Sequence, residues 1–197
     1  IPYLAFSGCS KLTNIDLPSS LKTIGNVAFS ECKALIHIDF PQSLTAIGTN
    51  AFYMTGLSEI SIPKNVTLIG EYAFSQCHSL TKISLPVGLI KIHKETFSFI
   101  GSYETAPISL VLPDGLKTID ENAFTEANLT TLYIPESVTS IAPNAFDGVY
   151  LERVEYGGSK EMWNKLIAEN DSLMAVEPVF KQPESAPSLL SNLLSIF

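Results

Sequence analysis

Short stretches in which apolar and polar residues alternate recur along most of the chain. Residues 12–18 read Leu-x-x-Ile-x-Leu-Pro, and this alternation predicts a half-buried strand that ends at a proline with no N–H to donate. Residues 21–25 read Leu-x-x-Ile-Gly, and their two apolar side chains can point back into the same core. A short turn of α- or 3₁₀-helix is predicted over residues 28–32, where Ala28 allows neighbouring segments to approach and Phe29 fills the centre.

These stretches repeat with a nearly fixed period. The phenylalanine that closes each repeat recurs at steps of 23, 23, 22, 23, 27 and 22 residues, and the proline after each opening strand at steps of 23, 22, 23, 27 and 22. Two independent markers therefore share one period and one insertion. The phenylalanines are Phe6, Phe29, Phe52, Phe74, Phe97, Phe124 and Phe146, and the prolines are Pro18, Pro41, Pro63, Pro86, Pro113 and Pro135.

The repeat length points to stacked coils. One coil of this size cannot bury its own apolar face, whereas stacked coils bury a continuous core. Each opening strand would pair with the next at about 4.8 Å. The pattern therefore predicts a solenoid with one parallel sheet along one side.

The full pattern, Leu-x-x-Ile-x-Ile-Pro-x-x-Val-x-x-Ile-Gly-x-x-Ala-Phe-x-x-Cys, resembles the BspA-type (Treponema-type) leucine-rich repeat over residues 1–156. The resemblance implies a β-rich α/β fold. This fold is a right-handed leucine-rich-repeat solenoid with a parallel sheet along the concave face and short helical or 3₁₀ turns opposite. Single positions depart from the pattern, namely His93 and Asp120 in place of Gly, Thr96 in place of Ala, and Pro107 in place of an opening Leu.

Three regions follow from the pattern. Residues 1–156 are predicted to form the solenoid, with six full repeats of 22–27 residues and partial ends. Residues 157–180 are predicted to cap its last coil, which would otherwise expose an apolar face. Residues 181–187 are polar and proline-rich, as in a linker, and residues 188–197 fit an amphipathic tail whose docking the sequence leaves open.

A short helix is predicted inside the cap. Ser159 is the expected N-cap, and Glu161 would lie near the positive end of the helix. Trp163 belongs to an apolar stripe and is interpreted as a packing residue, with ligand stacking as the alternative. A last strand is expected within residues 172–180.

Composition and charge disfavour nucleic acid as a partner and a membrane span in this chain. The net charge of −8 and a pI near 4.8 disfavour nucleic acid, because a duplex-binding protein needs a basic stripe. No apolar run approaches the roughly 18 residues of a membrane span. The chain begins at Ile1, partway through a repeat, so we expect a piece of a longer protein that self-associates through its uncovered first coil.

Residues with catalytic or metal-binding chemistry are scarce. Cys9, Cys32 and Cys77 each lie three residues after a closing phenylalanine, in a column that also holds Thr, Ile, Ala and Val, so we expect free, buried thiols. A disulfide between Cys9 and Cys32 on adjacent coils is the alternative. No pair of cysteines has zinc-ligand spacing, and no metalloprotease, serine-hydrolase or Walker motif is present. We therefore predict no catalytic residue, no metal and no cofactor.

The solvent side of the opening strands is the predicted binding surface, because side chains of paired strands stack in columns. One column is Asn14, His37, Glu59, Lys82, Ser109, Thr131 and Arg153, and the other is Asp16, Asp39, Ser61, Ser84, Val111, Tyr133 and Glu155. The residues proposed to bind are Asp16, His37, Asp39, Glu59, Ser61, Lys82, Ser84, Val111 and Tyr133, with Tyr133 as an exposed interface anchor. The plainer interpretation is that all of these are ordinary solvated sheet positions.

The one longer step in the repeat inserts four residues within residues 100–107. Insertions in solenoids form loops on one edge, often the binding edge, so Tyr103 and Glu104 are further binding candidates. Tolerated length variation in a surface loop is the alternative.

The sequence is compatible with three functions. The resemblance implies a non-catalytic protein-binding module of a secreted or cell-surface protein, from a bacterium or a parasitic protist, that adheres to host matrix or cell-surface proteins. A structural spacer that carries another domain outward is the second hypothesis. The third is an enzyme built on the insertion loop, which would require a pocket with a perturbed acid or histidine beside Tyr103.

Overall fold

A computed structural model describes residues 1–180 of the chain, so the predicted linker and tail lie outside the described residues. Two helices and twelve short strands alternate with turns over this range. In chain order the elements are β1 (Thr23–Ile24), β2 (Ala46–Ile47), β3 (Glu59–Ser61), β4 (Leu68–Ile69), β5 (Lys82–Ser84), β6 (Lys91–Ile92), β7 (Ile108–Val111), β8 (Thr118–Ile119), β9 (Leu129–Ile134), β10 (Ser140–Ile141), β11 (Arg153–Tyr156), α1 (Lys160–Leu166), α2 (Asp171–Met174) and β12 (Val179–Phe180).

The predicted parallel sheet is formed by the opening strands. β3 pairs with β5, and β7, β9, β11 and β12 form a second group, with every pairing parallel. The sheet is interrupted between β5 and β7, where the four-residue insertion enters the chain. The fold is therefore the predicted leucine-rich-repeat solenoid, with its sheet divided at the long coil.

The first two opening stretches do not form the strands that the sequence predicts. Residues 12–17 and 35–40 have no strand assignment. Within the described chain, one backbone hydrogen bond joins the second stretch to the next coil, from the Ser58 N–H to the Ile36 carbonyl at 3.1 Å. A strand ladder needs repeated bonds of this kind, so the sheet begins at β3.

A second parallel sheet lies along the Leu-x-x-Ile-Gly stretches and was not predicted. It consists of β1, β2 and β4 in one group and β6, β8 and β10 in another, each strand only two residues long. The buried isoleucines of these strands are in register, as in Ile24 with Ile47 and Ile47 with Ile69. From β3 to β10, each coil therefore contributes two strands to the core instead of one.

The segment predicted as a short helical turn is a run of turns closed by i→i+3 hydrogen bonds. In the second coil the Ala28 N–H donates to the Gly25 carbonyl at 3.3 Å, and the Cys32 N–H donates to the Phe29 carbonyl at 3.1 Å. Val27 and Glu31 have φ of 60° and 61°, in the left-handed region. Alternate N–H groups bond to the next coil, so this segment is a third hydrogen-bonded side of the solenoid.

The closing phenylalanines form one continuous stack through the core. Rings of neighbouring coils are 5.1–5.6 Å apart between centroids and within 2–11° of parallel. Each ring from Phe29 to Phe146 is fully buried, whereas Phe6 is only half-buried. The repeated phenylalanine thus fills the centre of every coil, as predicted.

The C-terminal segment covers the last coil. The Ser159 hydroxyl accepts a hydrogen bond from the Met162 N–H at 3.3 Å, which makes it the N-cap of α1. Trp163 is 2% exposed and lies 5.2 Å from the Tyr156 ring, so it packs against the solenoid and offers no free face for stacking. The Asn170 side chain caps α2 and donates to the Ala142 carbonyl, tying the two regions together.

Candidate functional site

The outward side of the opening stretches, from residue 12 to β11, is called the strand face here. Pairing on this face brings Glu59 opposite Lys82 and Ser61 opposite Ser84. Further along, β7, β9 and β11 align the remaining members of both predicted columns, namely Ser109 with Thr131 and Arg153, and Val111 with Tyr133 and Glu155. Side chains far apart in the sequence therefore meet in a fixed geometry.

Exposure on the strand face falls from the N-terminal to the C-terminal end. The exposed members of the predicted set are Asp16, His37, Asp39, Glu59 and Ser61, and the half-buried members are Lys82, Ser84 and Val111. Tyr133 is buried. The accessible part of the face is therefore its polar, mainly acidic, N-terminal half.

A histidine between two carboxylates is the main feature of this half. His37 Nε2 lies 3.1 Å from Asp39 Oδ1, and His37 Nδ1 lies 3.9 Å from Glu59 Oε1. The Asp39 side chain is 95% exposed, so its charge projects into solvent. Lys82 lies opposite Glu59 on the following strand and closes the cluster on that side.

The same residues line a shallow groove of about 360 Å³. Phe40 and Gln42, at the end of the second opening stretch, extend it toward the next corner of the coil. These two residues were not predicted as part of the site. They lie one and three residues after Asp39 in the chain, so their closeness to the acidic column was the signal that could have identified them.

Tyr133 is not the exposed anchor that the sequence suggests. Its side chain is 4% exposed, and Glu155, its neighbour in the column, is also 4% exposed. Burial, with the nearby charges of Asp114, Glu136 and Glu155, raises the pKa of the Tyr133 hydroxyl. The prediction of an exposed Tyr133 is wrong because later residues cover the phenol, and Gly157 is one that lies against it.

The C-terminal end of the strand face carries an internal ion pair. Arg153 Nη2 donates to Glu155 Oε1 at 2.7 Å, and Arg153 Nε donates to the same oxygen at 3.2 Å. Glu155 is buried whereas Arg153 is half-exposed, so the guanidinium shields the carboxylate from solvent. This end of the face therefore has a packing role in the described structure.

The insertion forms a closed turn at one edge of the solenoid. The Ser102 N–H donates to Thr105 Oγ1 at 3.0 Å, and Asn128 Nδ2 of the next coil donates to the Ser102 carbonyl at 2.7 Å. Tyr103 is 79% exposed at its tip, and Glu104 is exposed beside it. The loop is therefore fastened to the solenoid while its two predicted residues remain accessible.

A second groove, of about 680 Å³, runs from Tyr103 to the cap. Tyr150, which is 78% exposed, lines it together with Glu152 and Asp171. Tyr150 was not among the residues predicted to bind a partner. It occupies the corner that precedes an opening strand, as the insertion does, and this shared corner was the available signal.

The three cysteines, all within residues 1–180, differ in exposure. Cys32 and Cys77 are buried, but Cys9 in the first coil is exposed, contrary to the expectation that all three are core residues. No group of three or more His, Cys, Asp or Glu residues in this range is arranged to hold a metal ion. Neither helix among the described residues has the length and apolar character needed to cross a bilayer.

Solved structures with the same fold come from several bacteria. A leucine-rich repeat protein from Bacteroides ovatus is 25% identical, with a TM-score of 0.57 over 91% of this chain and 57% of that one. The T. pallidum leucine-rich repeat protein is 27% identical, with a TM-score of 0.53 over 89% of this chain and 73% of that one. A leucine-rich repeat protein from Eubacterium ventriosum is 22% identical, with a TM-score of 0.58 over 67% and 41% of the two chains.

The chain spans 57% of the Bacteroides ovatus protein and 41% of the Eubacterium ventriosum protein. No curated protein matches the sequence. The profile of the BspA type leucine-rich repeat region matches residues 1–109 and 103–165, in six copies. By its repeat pattern, its stacked coils and this match, the chain belongs to the BspA-type leucine-rich-repeat family.

Proposed function

We propose that this chain is a non-catalytic protein-binding module that recognises its partner through the strand face. The observation that carries the proposal is the exposed cluster of His37, Asp39 and Glu59, which two coils hold in fixed positions beside a groove. Rigid repeats that present aligned side chains favour contact at many points without a conformational change. Membership of a leucine-rich-repeat family supports the same class of function.

The partner that this face fits is a protein with a positively charged surface. Asp16, Asp39 and Glu59 are exposed on it, and the net charge of the chain is −8. Opposite charges on the two surfaces would accelerate association and fix the register of binding. From the family we propose a secreted or cell-surface location and a host matrix or cell-surface protein as the partner.

The insertion loop is proposed as a secondary contact on the same partner. Tyr103 is 79% exposed, and a tyrosine supplies contact area and a hydrogen bond with little loss of conformational freedom. The first coil is proposed to self-associate, because Tyr3 and Leu4 are 65% and 44% exposed there. Light scattering that gives a clean monomer at high protein concentration would contradict the self-association.

A structural spacer remains the second candidate, favoured by the burial of Tyr133 and Glu155 at one end of the face. The two functions differ in how reversal of a surface charge affects them. A spacer tolerates charge reversal anywhere on its exposed surface, whereas a binding module is sensitive to it on one face only. Asp39→Lys therefore discriminates between them, and Glu71→Lys is the matched control, since Glu71 is exposed in the turn segment on another side of the coil.

The experiment measures binding of the purified protein to immobilised fibronectin, fibrinogen and whole host cells. We expect saturable binding to one of these surfaces, weakened about tenfold or more by Asp39→Lys and unchanged by Glu71→Lys. Tyr103→Ala should weaken binding to a smaller degree. Equal effects of the two charge reversals, or no binding to any surface, would favour the spacer.

A further inference from the structure

A repeated contact in the turn segments links neighbouring coils near the core. In the third and fourth coils, Thr55 Oγ1 lies 3.2 Å from Cys77 Sγ. The Cys77 thiol donates to the Phe52 carbonyl at 3.2 Å, and the Thr55 N–H donates to the same carbonyl at 3.3 Å. One carbonyl of the earlier coil thus positions both residues.

Cys9 and Cys32 occupy the equivalent positions in the first and second coils. The Cys32 thiol donates to the Phe6 carbonyl at 3.1 Å, and the Cys9 N–H donates to that carbonyl at 3.0 Å. The adjacent bond between coils is also reproduced, since the Gly8 N–H donates to the Ser30 carbonyl at 2.8 Å. Its counterpart beside Thr55, from the Met54 N–H to the Ser75 carbonyl, measures 3.0 Å.

This equivalence determines where the Cys9 sulfur can lie. Cys9 makes the same backbone hydrogen bonds as Thr55 does two coils later. Rotation of its side chain about the Cα–Cβ bond into another staggered rotamer would place its sulfur where Thr55 Oγ1 lies in the third coil. There it faces the sulfur of Cys32. Equivalent Cα atoms of stacked coils are about 4.8 Å apart, and a disulfide spans Cα separations of about 4.4–6.8 Å.

We propose that Cys9 and Cys32 form a disulfide that fastens the first coil to the second. Cys77 has no such partner, because Thr55 holds the facing position. The bond would close a loop of about two dozen residues and so reduce the freedom of the unfolded chain. It joins the coil whose phenylalanine, Phe6, is only half-buried to the coil whose phenylalanine, Phe29, is fully buried.

Thiol–disulfide exchange with a low-molecular-weight disulfide supplies the oxidation. The thiolate of the exposed Cys9 attacks one sulfur of the reagent, forms a mixed disulfide and releases one equivalent of the reagent's thiol. The Cys32 thiolate then attacks the Cys9 sulfur and releases the second equivalent. Two protein thiols are oxidised, and one reagent disulfide is reduced to two thiols.

The second step should be the slower one near neutral pH. Burial, with a smaller contribution from Cys9, raises the pKa of the Cys32 thiol to about 11. Little of this thiol is therefore ionised near neutral pH, and exchange should accelerate as the pH rises.

The test treats the folded protein with oxidised glutathione at mildly alkaline pH and then counts thiols after denaturation. Of the three cysteines, one should remain free, with a mass loss of two hydrogens and a tryptic link between residues 1–11 and 23–33. Oxidation should also raise the melting temperature, and dithiothreitol should reverse this change. Cys9→Ser and Cys32→Ser should abolish the link and the shift in melting temperature.

Thr55→Cys is the positive control, because it copies the proposed pair onto the third and fourth coils. Its oxidised form should carry a second link, between position 55 and Cys77, and no free thiol. A wild-type protein that keeps three thiols, or that only forms dimers through Cys9, would overturn the proposal. Because Cys9 is exposed, Cys9→Ser should fold normally, so loss of the link in that variant cannot be attributed to misfolding.

Discussion

Gly157 lies against the phenol of Tyr133, so close that a Cβ atom at this glycine would be 2.9 Å from the Tyr133 hydroxyl oxygen. The same Cβ would be 3.0 Å from the backbone nitrogen of Glu136. The chain that leaves β11 therefore closes over the end of the strand face. The glycine at this position is what allows the tyrosine to be buried.

Replacing Gly157 by alanine should destabilise the C-terminal end. The added methyl group meets the tyrosine hydroxyl and the backbone at the same time, and backbone cannot move aside cheaply. We expect a loss of about 1–3 kcal/mol in the free energy of unfolding, the usual cost of overpacking. Urea denaturation followed by circular dichroism and by the fluorescence of the single tryptophan measures it.

Gly88→Ala is the matched control for this variant. A Cβ at Gly88 meets no atom closer than 3.5 Å, so alanine should be tolerated there and can even stabilise by restricting the unfolded chain. If both variants unfold at the same urea concentration as the wild type, the close packing of Gly157 on Tyr133 is refuted.

The phenylalanine stack should be most sensitive near its middle. Phe74 lies between Phe52 at 5.3 Å and Phe97 at 5.6 Å, whereas Phe6 is half-buried and stacks on Phe29. Phe74→Ala should cost about 3–5 kcal/mol, and Phe6→Ala clearly less. Thermal melting of the two variants checks the order, and an equal or larger loss for Phe6→Ala would contradict it.

Alkaline pH should weaken the fold through a buried thiol. Burial raises the pKa of the Cys77 thiol from 9.0 to about 11. Between these values the unfolded chain loses the proton and the folded chain keeps it, so the free energy of unfolding falls as the pH rises. The stabilisation is present in full well below pH 9 and is lost as the pH passes about 11. The loss is on the order of 3 kcal/mol at most, since each pKa unit corresponds to about 1.4 kcal/mol.

Cys77→Ala isolates this contribution from those of the other ionisable groups. The column already accepts alanine at Ala127, so the variant should fold. The difference in stability between wild type and variant should shrink as the pH rises from about 8 to about 11. A difference that stays constant over this range would show that the thiol makes no pH-dependent contribution.

Much of the architecture was readable from the repeat itself. Equal spacing of phenylalanine and proline predicted stacked coils, and alternation in the opening stretches predicted columns whose register is confirmed at Glu59 with Lys82 and at Ser61 with Ser84. These features depend on contacts between residues one coil apart, and the regular spacing of the repeat identifies those residues in the sequence. The second sheet was missed because two-residue strands leave no alternation to detect.

Features that depend on other parts of the chain were not readable in this way. Tyr133 occupies a position that is exposed in the coils of Asp16, Asp39 and Ser61, but the later residues Glu155 and Gly157 lie against it. The left-handed φ of Val27 gave no sequence signal, because a β-branched residue disfavours that conformation. The pairing between coils maintains it there, through the hydrogen bond from the Val27 N–H to the Thr49 carbonyl.

Recognition through the strand face can be tested directly by comparing two histidines of the same chain. His37 and His78 are both exposed, but His37 lies on the strand face and His78 lies at the corner that follows a turn segment. The measurement is the rate at which diethyl pyrocarbonate modifies each histidine, read by mass spectrometry, with and without the matrix protein that binds. Slower modification of His37 with an unchanged rate at His78 is the predicted result. Protection of His78 alone, or of neither histidine in a saturated complex, would contradict recognition through the strand face.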